Sequence, residues 1–418
     1  MVQLVNRDRL HESEVDLRAV DEAYEARHEP LVSPDGERIA WPVKSGDEGW
    51  SLWVNGRRWP DAFDVLWHAM FGPDGRLAAL VKKDELWTVA VEGVPWDEKF
   101  DFVWNPAFSP DGLHIAAQVK KDGKYTMAVD GKSWDEGYVS TREFTLDNAG
   151  NVAVSAQVER LNEGDVFRFL EGTWGLAVNA GLWPAKYLNV YGPVLSPDGK
   201  HAAAQVRLDI CDYTIAEDGQ PWDSRFGCIW EPVYDPKEGA IVAPVKVPGG
   251  WTLVKGGNPF WKRKYGQIWR PKFSPDGNRV AAVASPAFGK WTVAVDDTPW
   301  TCLFSDAVLE PHFSADSRRI AAIVKEENRW TIAVDGKAWH ETFDMIWDPV
   351  FNPDASHVAA KVERNGSYSI AIDGQIWKDS LERLWPPVFS PDGEQILVKG
   401  IAGDKYFRKA LPVSQILR

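Results

Sequence analysis

Trp104-Asn-Pro-Ala-Phe108-Ser-Pro-Asp-Gly112, then Ile115-Ala-Ala-Gln-Val119, Tyr125-Thr-Met-Ala-Val-Asp-Gly131, Trp134 and Tyr138 form one period of a pattern that fills the chain. Taken locally it is four short strands. Pro106 to Ser109 is the first. It ends in Ser-Pro-Asp-Gly, where proline presets φ and glycine accepts a positive φ. Ile115 to Val119 is the second. Tyr125 to Val129 is the third, closed by Asp-Gly, a strong hairpin signal. Trp134 to about Val139 is the fourth and leads outward to the next period.

The turn returns as Ser33 to Gly36, Gly72 to Gly75, Ser196 to Gly199, Ser274 to Gly277 and Ser390 to Gly393. Degenerate forms stand at Leu146-Asp147-Asn148, Asp235-Pro236-Lys237, Ser314-Ala315-Asp316 and Asn352-Pro353-Asp354. With Ser109 to Gly112 these make ten anchors, mostly about 36–40 residues apart. A repeat of that length, built from short apolar runs and Gly/Asp turns, predicts an all-β chain: a β-propeller of four-stranded antiparallel blades, about ten in number.

Tryptophan marks the same period, with pairs eight apart at Trp59/Trp67, Trp96/Trp104, Trp222/Trp230, Trp261/Trp269, Trp339/Trp347 and Trp377/Trp385. A further aromatic lies halfway, as in Phe63, Phe100 and Phe343. Even offsets put these side chains on one face of an extended strand. Opposite them the second strands carry Ala pairs, such as Ala116-Ala117 and Ala281-Ala282. Large against small is how stacked sheets fill space. A buried Trp removes roughly 150–250 Å² from water, a gross gain of about 4–6 kcal/mol before entropy. The outer-strand aromatics are therefore expected to wedge each blade against its neighbour.

The last anchor, Pro391, is followed by second and third strands and no fourth. Val20 to Pro30 follows the register of Trp96 to Pro106, so this N-terminal strand is expected to complete the last blade with 385–418. That makes 1–19 an extension and 20–418 one propeller, removing an exposed sheet edge. Two smaller rings are the alternative; the absence of a Pro/Gly/Ser linker in mid-chain favours one.

Composition narrows the partners. Lys plus Arg number 47 against 61 Asp plus Glu, a net charge of −14. Nucleic-acid phosphate is a poor match for such a chain. No run of 18 apolar residues suggests a membrane span, and Met1 to Arg18 lacks the apolar core of a secretory signal. Cys211, Cys228 and Cys302 are too few and too scattered for a disulfide framework, which suits a reducing, cytoplasmic setting.

Two departures from the repeat are candidate partner-binding sites. The segment Leu161 to Gly172, with Phe167 and Phe169, lengthens the second-to-third strand loop of the fourth blade and offers an apolar knob. Folding back onto the blade is its bland alternative. After the fourth-strand Trp most repeats are acidic, but the sixth has Lys262, Arg263 and Lys264, with Arg270 and Lys272 beyond. From Lys246 to Pro275 there is no Asp or Glu. Such a stretch suits an acidic protein or anionic lipid headgroups, and a solvated blade edge is its alternative.

Catalytic and cofactor motifs are missing. There is no Cys-x-x-Cys-His, no paired Cys-x-x-Cys, no His-Glu-x-x-His, no Gly-x-Ser-x-Gly and no Walker sequence. No catalytic residue, metal ligand or cofactor is assigned. The turn Asp residues and His114, His201 and His340 are taken as structural.

The Phe-Ser-Pro-Asp-Gly turn followed by Ile-Ala-Ala resembles WD40-like repeats of the TolB type, from about Val20 onward. The Trp content, acidic chain and absent cofactor motifs resemble the tryptophan-rich TmcD subunits of the Tmc transmembrane electron-transfer complex of sulfate-reducing bacteria. That resemblance implies a cytoplasmic accessory protein. Its partner subunits would carry the haems and iron–sulfur clusters, and it brings no catalytic residues. The expected function is a non-catalytic scaffold that binds other proteins. A propeller enzyme or small-ligand binder using the central channel is the alternative.

Overall fold

In the computed structural model, which describes residues 12–417, the quoted stretch forms four strands of one sheet. They are Phe102–Phe108, Ile115–Lys121, Lys124–Val129 and Lys132–Ser133, paired antiparallel in chain order. Ten such sheets follow one another, and the protein is a ten-bladed, all-β propeller. Contacts divide it into two compact units, one spanning 15–221 and the other Trp222–Arg418, with five blades in each. Helix is confined to short pieces, chiefly α1 (Arg18–Ala23) and α2 (Val166–Glu171).

The first strands are longer than expected because they bend rather than stop. Pro106 has no N–H to give the ladder, and Asn105 takes φ 50°, so pairing skips from Trp104↔Gln118 to Ala107↔Ala116. Around Pro311, Pro349 and Pro387 the same break divides the first strand into two short pieces. The fourth strands are shorter than expected. Two residues pair after each Asp-Gly hairpin, and contact resumes only at single bridges such as Tyr125↔Tyr138.

Each turn is closed by its own side chains. Ser109 is buried, and its Oγ donates to Asp111 Oδ1 at 2.6 Å and accepts the His114 N–H at 3.0 Å. Asp111 Oδ1 also accepts the Leu113 N–H. The set recurs at Ser33, Ser196, Ser274, Ser314 and Ser390. These bonds favour the ionised carboxyl. The Ser196 hydroxyl and the Lys200 amide hold the Asp198 carboxyl down to about 2. The Asp111, Asp276, Asp316 and Asp392 carboxyls are lowered by the same kind of bonding.

The Asp-Gly hairpin fastens the start of the second strand. Asp130, at φ 48°, accepts the Ile115 N–H on Oδ1, while Oδ2 lies 2.6 Å from His114 Nδ1. His201 with Asp218 and His357 with Asp373 repeat this pairing, and Arg319 with Asp335 substitutes a guanidinium. The histidines are hairpin partners.

Between blades, indole meets glycine. A Cβ on Gly131 would lie 3.2 Å from Trp96 Cγ, and one on Gly93 3.1 Å from Trp59. Gly219 faces Trp183, Gly336 faces Trp300 and Gly374 faces Trp339 in the same way. The fourth-strand Trp of one blade thus packs on the hairpin of the next, as the wedge expectation required. Arginine adds a second tie. Arg38 donates to the Gly75 carbonyl at 2.9 Å and its guanidinium carbon sits 5.3 Å from the Phe71 ring of the next blade. Arg319 does the same with the Ala355 carbonyl and Phe351.

The N-terminal expectation is corrected in one respect. Val20 lies in α1, and Ala26–Arg27 is the opening piece of blade 1, paired with Ile39–Ser45. The register match to Trp96–Pro106 was sound, because that segment also runs into a first strand. The outer strand of the tenth sheet comes from farther upstream, Ser13–Asp16, beside Lys405–Pro412. Glu14 takes Lys405 Nζ at 2.9 Å. Of the expected 1–19 extension, residues 1–11 lie outside the described residues.

Gly131→Ala must hold an alanine at φ 87° against an indole. It is expected to lose about 1–3 kcal/mol, read as a lower urea midpoint. The Asp111, Asp198, Asp276, Asp316 and Asp392 carboxyls carry an acid dependence. Their folded pKa values lie below the ordinary aspartate value. Their contribution is therefore complete above the unfolded value of about 3.9 and is lost as pH falls through the folded ones. Urea midpoints should drop between about pH 4 and pH 2. Ser196→Ala should move the Asp198 carboxyl up from about 2, visible by carboxyl-carbon NMR.

Candidate interaction surface

Sequential antiparallel strands give every blade two unlike ends. The Ser-Pro-Asp-Gly turn and the Asp-Gly hairpin lie at one. The second-to-third loop and the link to the next blade lie at the other. The Trp eight residues past each fourth-strand Trp falls on the first strand of the next blade, toward this loop end. There it meets the aromatic that opens the third strand. Trp67 and Trp87 are 5.2 Å apart, Trp230 and Trp251 5.5 Å, Trp269 and Trp291 4.7 Å. In blades 2 and 3 the rings run on unbroken, through Trp87–Phe102 at 5.3 Å, Phe102–Trp104 at 6.0 Å and Trp104–Tyr125 at 5.7 Å.

These rings are not all core. Trp67 is 53% exposed and Trp230 37%, whereas Trp59, Trp183 and Trp261 of the fourth strands are buried. Cations cover several of them. Lys361 Nζ sits 4.0 Å from Trp347 and 4.5 Å from Tyr368, and burial lowers its pKa. In blade 4 the Trp position holds Arg142, whose guanidinium lies 4.0 Å over Trp174.

Blade 4 also carries the longest second-to-third loop, folded into α2. Phe167 is 84% exposed on it, with Val166 and Leu170 exposed beside it, while Phe169 is half-buried. The knob therefore divides: one Phe faces outward and the other leans in. Leu86, Phe102 and Ile210 are exposed at the same end of other blades in this unit. At the turn end of the same unit the described exposed residues of this kind are Val94, Leu113 and Leu182. Trp67, Phe102 and Ile210 escaped sequence reasoning because the repeat itself accounts for an aromatic, and a lone Ile in a short loop carries no pattern.

The expected basic stretch separates into two places. Arg270 and Lys272 lie on the first strand of blade 7 and face Glu310 of blade 8, with Lys272 Nζ 2.8 Å from its carboxylate. They are ion-paired, and Glu310 is held below the usual carboxylate range, with these two cations outweighing its burial. Lys262, Arg263 and Lys264 follow the fourth-strand Trp261 and are exposed. In the next blade Asp297 replaces the glycine of the hairpin. Its carboxylate accepts the Lys262 and Arg263 amides at 2.8 and 3.1 Å. Burial, and then the Asp297 charge, push the Tyr265 hydroxyl well up. Asp297 thus binds the backbone of the 262–264 run, while the three cationic side chains make no ion pair with it. The break in the Asp-Gly pattern at Asp296-Asp297 was the available signal.

Acid–base chemistry has few candidates. The His–Asp pairs described above hold turns. His312 lies 3.7 Å from Asp348, half-buried, and burial with the nearby Lys272 lowers its pKa. Among the described residues no group of three His, Cys, Asp or Glu is placed to hold a metal ion. Two adjoining clefts of about 470 and 500 Å³ lie by the turn end of blades 2–5. The first is lined by Met70, Phe71, Phe108, Phe144 and prolines, and contains no ionisable side chain. The aspartates in the second, Asp147 and Asp198, are engaged in their turns. The three thiols are free, and burial raises that of Cys302. No helix among the described residues is long and apolar enough to cross a membrane.

No protein-family model matches the chain, and a search of curated proteins returns no match. Among solved structures, one described as the crystal structure of the eukaryotic initiation factor is 13% identical, covers 90% of this chain and 89% of its own, and superposes with a TM-score of 0.45. Another, described as the Dos1 propeller, is 10% identical, covers 95% and 94%, and has a TM-score of 0.37.

Asp297→Ala should cost about 1 kcal/mol, since two amides lose a charged acceptor beside a run of three cations. The loss should shrink in high salt, which screens the repulsion among 262–264. Urea midpoints at two ionic strengths measure both.

Proposed function

We propose that this protein is a non-catalytic platform that binds other proteins through the loop end of its first unit. The observation that carries this reading is α2, a six-residue helix in an extended loop that holds Phe167 almost wholly in water. A single exposed apolar residue is ordinary. A cluster of Val166, Phe167 and Leu170, carried on a loop that the blade does not need, costs solubility without adding to the core. The apolar side chains exposed at the same end of blades 2, 3 and 5 enlarge the surface.

The more specific form of the reading is an accessory subunit on the cytoplasmic side of a membrane-bound electron-transfer complex, whose other subunits hold the haems and iron–sulfur clusters. The tryptophan-rich, acidic composition and the resemblance to TmcD support it. The aromatic rings are engaged in packing and cation contacts, which fits a framework better than a catalyst.

Affinity capture from native cells tests both levels. Phe167→Ser with Leu170→Ser should leave the melting temperature unchanged and weaken retention of the partner at least about tenfold, as expected for truncated interface anchors. Haem- or cluster-bearing membrane subunits among the retained proteins would support the specific form. Retention unaffected by the double variant would remove α2 from the interface.

A further inference from the structure

Most second-to-third loops carry carboxylates in or beside them: Asp47-Glu48, Asp84-Glu85, Asp122, Asp209 with Asp212, Glu326-Glu327 and Asp404, with Asn365-Gly366 of blade 9 an exception. Blades 6 and 7 are neighbours that both lack them. Their loops are Val247-Pro-Gly-Gly250 and Ser285-Pro-Ala-Phe-Gly289, with no charge in either. Phe288 stands at the tip of the second, where Ala287 pairs with Lys290, and it is fully exposed.

Around this tip the charge reverses. Between Lys246 and Val295 the only acidic residue is Asp276. Of the cations in that span, Lys255, Arg270, Lys272 and Arg279 are ion-paired. Lys246, Lys262, Arg263, Lys264 and Lys290 make no ion pair among the described residues. The fold brings the two loops and part of the run to one place. The Gly266 N–H donates to the Ser285 carbonyl at 2.7 Å, and a Cβ on Gly250 would lie 3.4 Å from Lys264 Cβ. Lys246 is the last but one residue of the strand that enters the first loop, and Lys290 begins the strand that leaves the second, with its Nζ donating to Ser305 Oγ at 2.6 Å.

We infer that the loop end of blades 6 and 7 is a membrane-surface contact, in which Phe288 enters the headgroup region of an anionic bilayer and Lys246, Lys264 and Lys290 face its phosphates. An aromatic on an uncharged hairpin tip can leave water without burying a charge. The flanking cations gain from the negative surface potential of anionic lipid. A docked acidic protein would use the cations equally, but it gives no reason for the neighbouring loops to shed their carboxylates and present one bare ring. This surface is independent of the α2 knob, and each can fail alone.

The test is flotation of the full-length protein with vesicles of phosphatidylcholine, with and without phosphatidylserine. Binding is expected only with phosphatidylserine and should weaken as salt is added. Lys246→Glu with Lys264→Glu should weaken it at least about twentyfold. Phe288→Ser should weaken it with the circular dichroism spectrum unchanged, and Phe167→Ser should leave it as it is. No binding to phosphatidylserine vesicles, or binding that survives both the Lys246/Lys264 and the Phe288 variants, overturns the assignment. Capture on immobilised poly-glutamate without vesicle binding overturns it in favour of an acidic protein partner.

Discussion

The contact between a fourth-strand indole and the hairpin glycine of the next blade is the constraint on which the rest of the structure depends. Twisted sheets set side by side diverge outward, and small residues cannot fill the widening gap. Trp59, Trp96, Trp183, Trp300 and Trp339 fill it, each against a glycine whose missing Cβ makes room. Nearer the first strands, where space is short, alanine pairs such as Ala116-Ala117 and Ala321-Ala322 are wholly buried. Nine of the 23 Trp in the chain stand at this wedge position, one in each of nine repeats.

Around the wedge many polar groups hold the backbone. A serine and an aspartate close six of the sharp turns, and in most hairpins an Asp, Asn or Glu takes the first amide of the second strand. Where that hairpin group is a carboxylate, a His or Arg balances it. The result explains how so acidic a chain keeps its carboxylates ordered at one end. It also leaves the other end, with its variable loops, as the place where the chain can depart from its pattern without loss of a blade. Both departures in loop length or charge are found there or beside it: α2 in blade 4, and the neutral loops with their cations in blades 6 and 7.

The contact between Asp297 and the backbone of 262–264 illustrates how one repeat engages the next. Seen along the chain, the basic run is an anomaly of one blade. In space its first two backbone amides bind a carboxylate that the next blade places where glycine belongs. Arg270 and Lys272, close by in sequence, have a different purpose on the first strand, where Glu310 pairs with them. Linear proximity joined five cations that the fold separates.

The sequence by itself determined the period, the turn chemistry, the propeller class and the wedge role of the tryptophans. All of these rest on local preference and on spacing repeated many times. It also located α2 as an insertion, since a lengthened interval is visible in one dimension. Tertiary structure alone decided which N-terminal segment completes the tenth sheet. Val20–Pro30 and Ser13–Asp16 differ in what they lie beside, not in any local signal. It alone divided the basic stretch, turned Phe167 outward and Phe169 inward, and brought Phe288 beside Lys264. These outcomes depend on contacts between residues far apart in the chain or in different blades, and a strand's own sequence encodes its shape but not its neighbour.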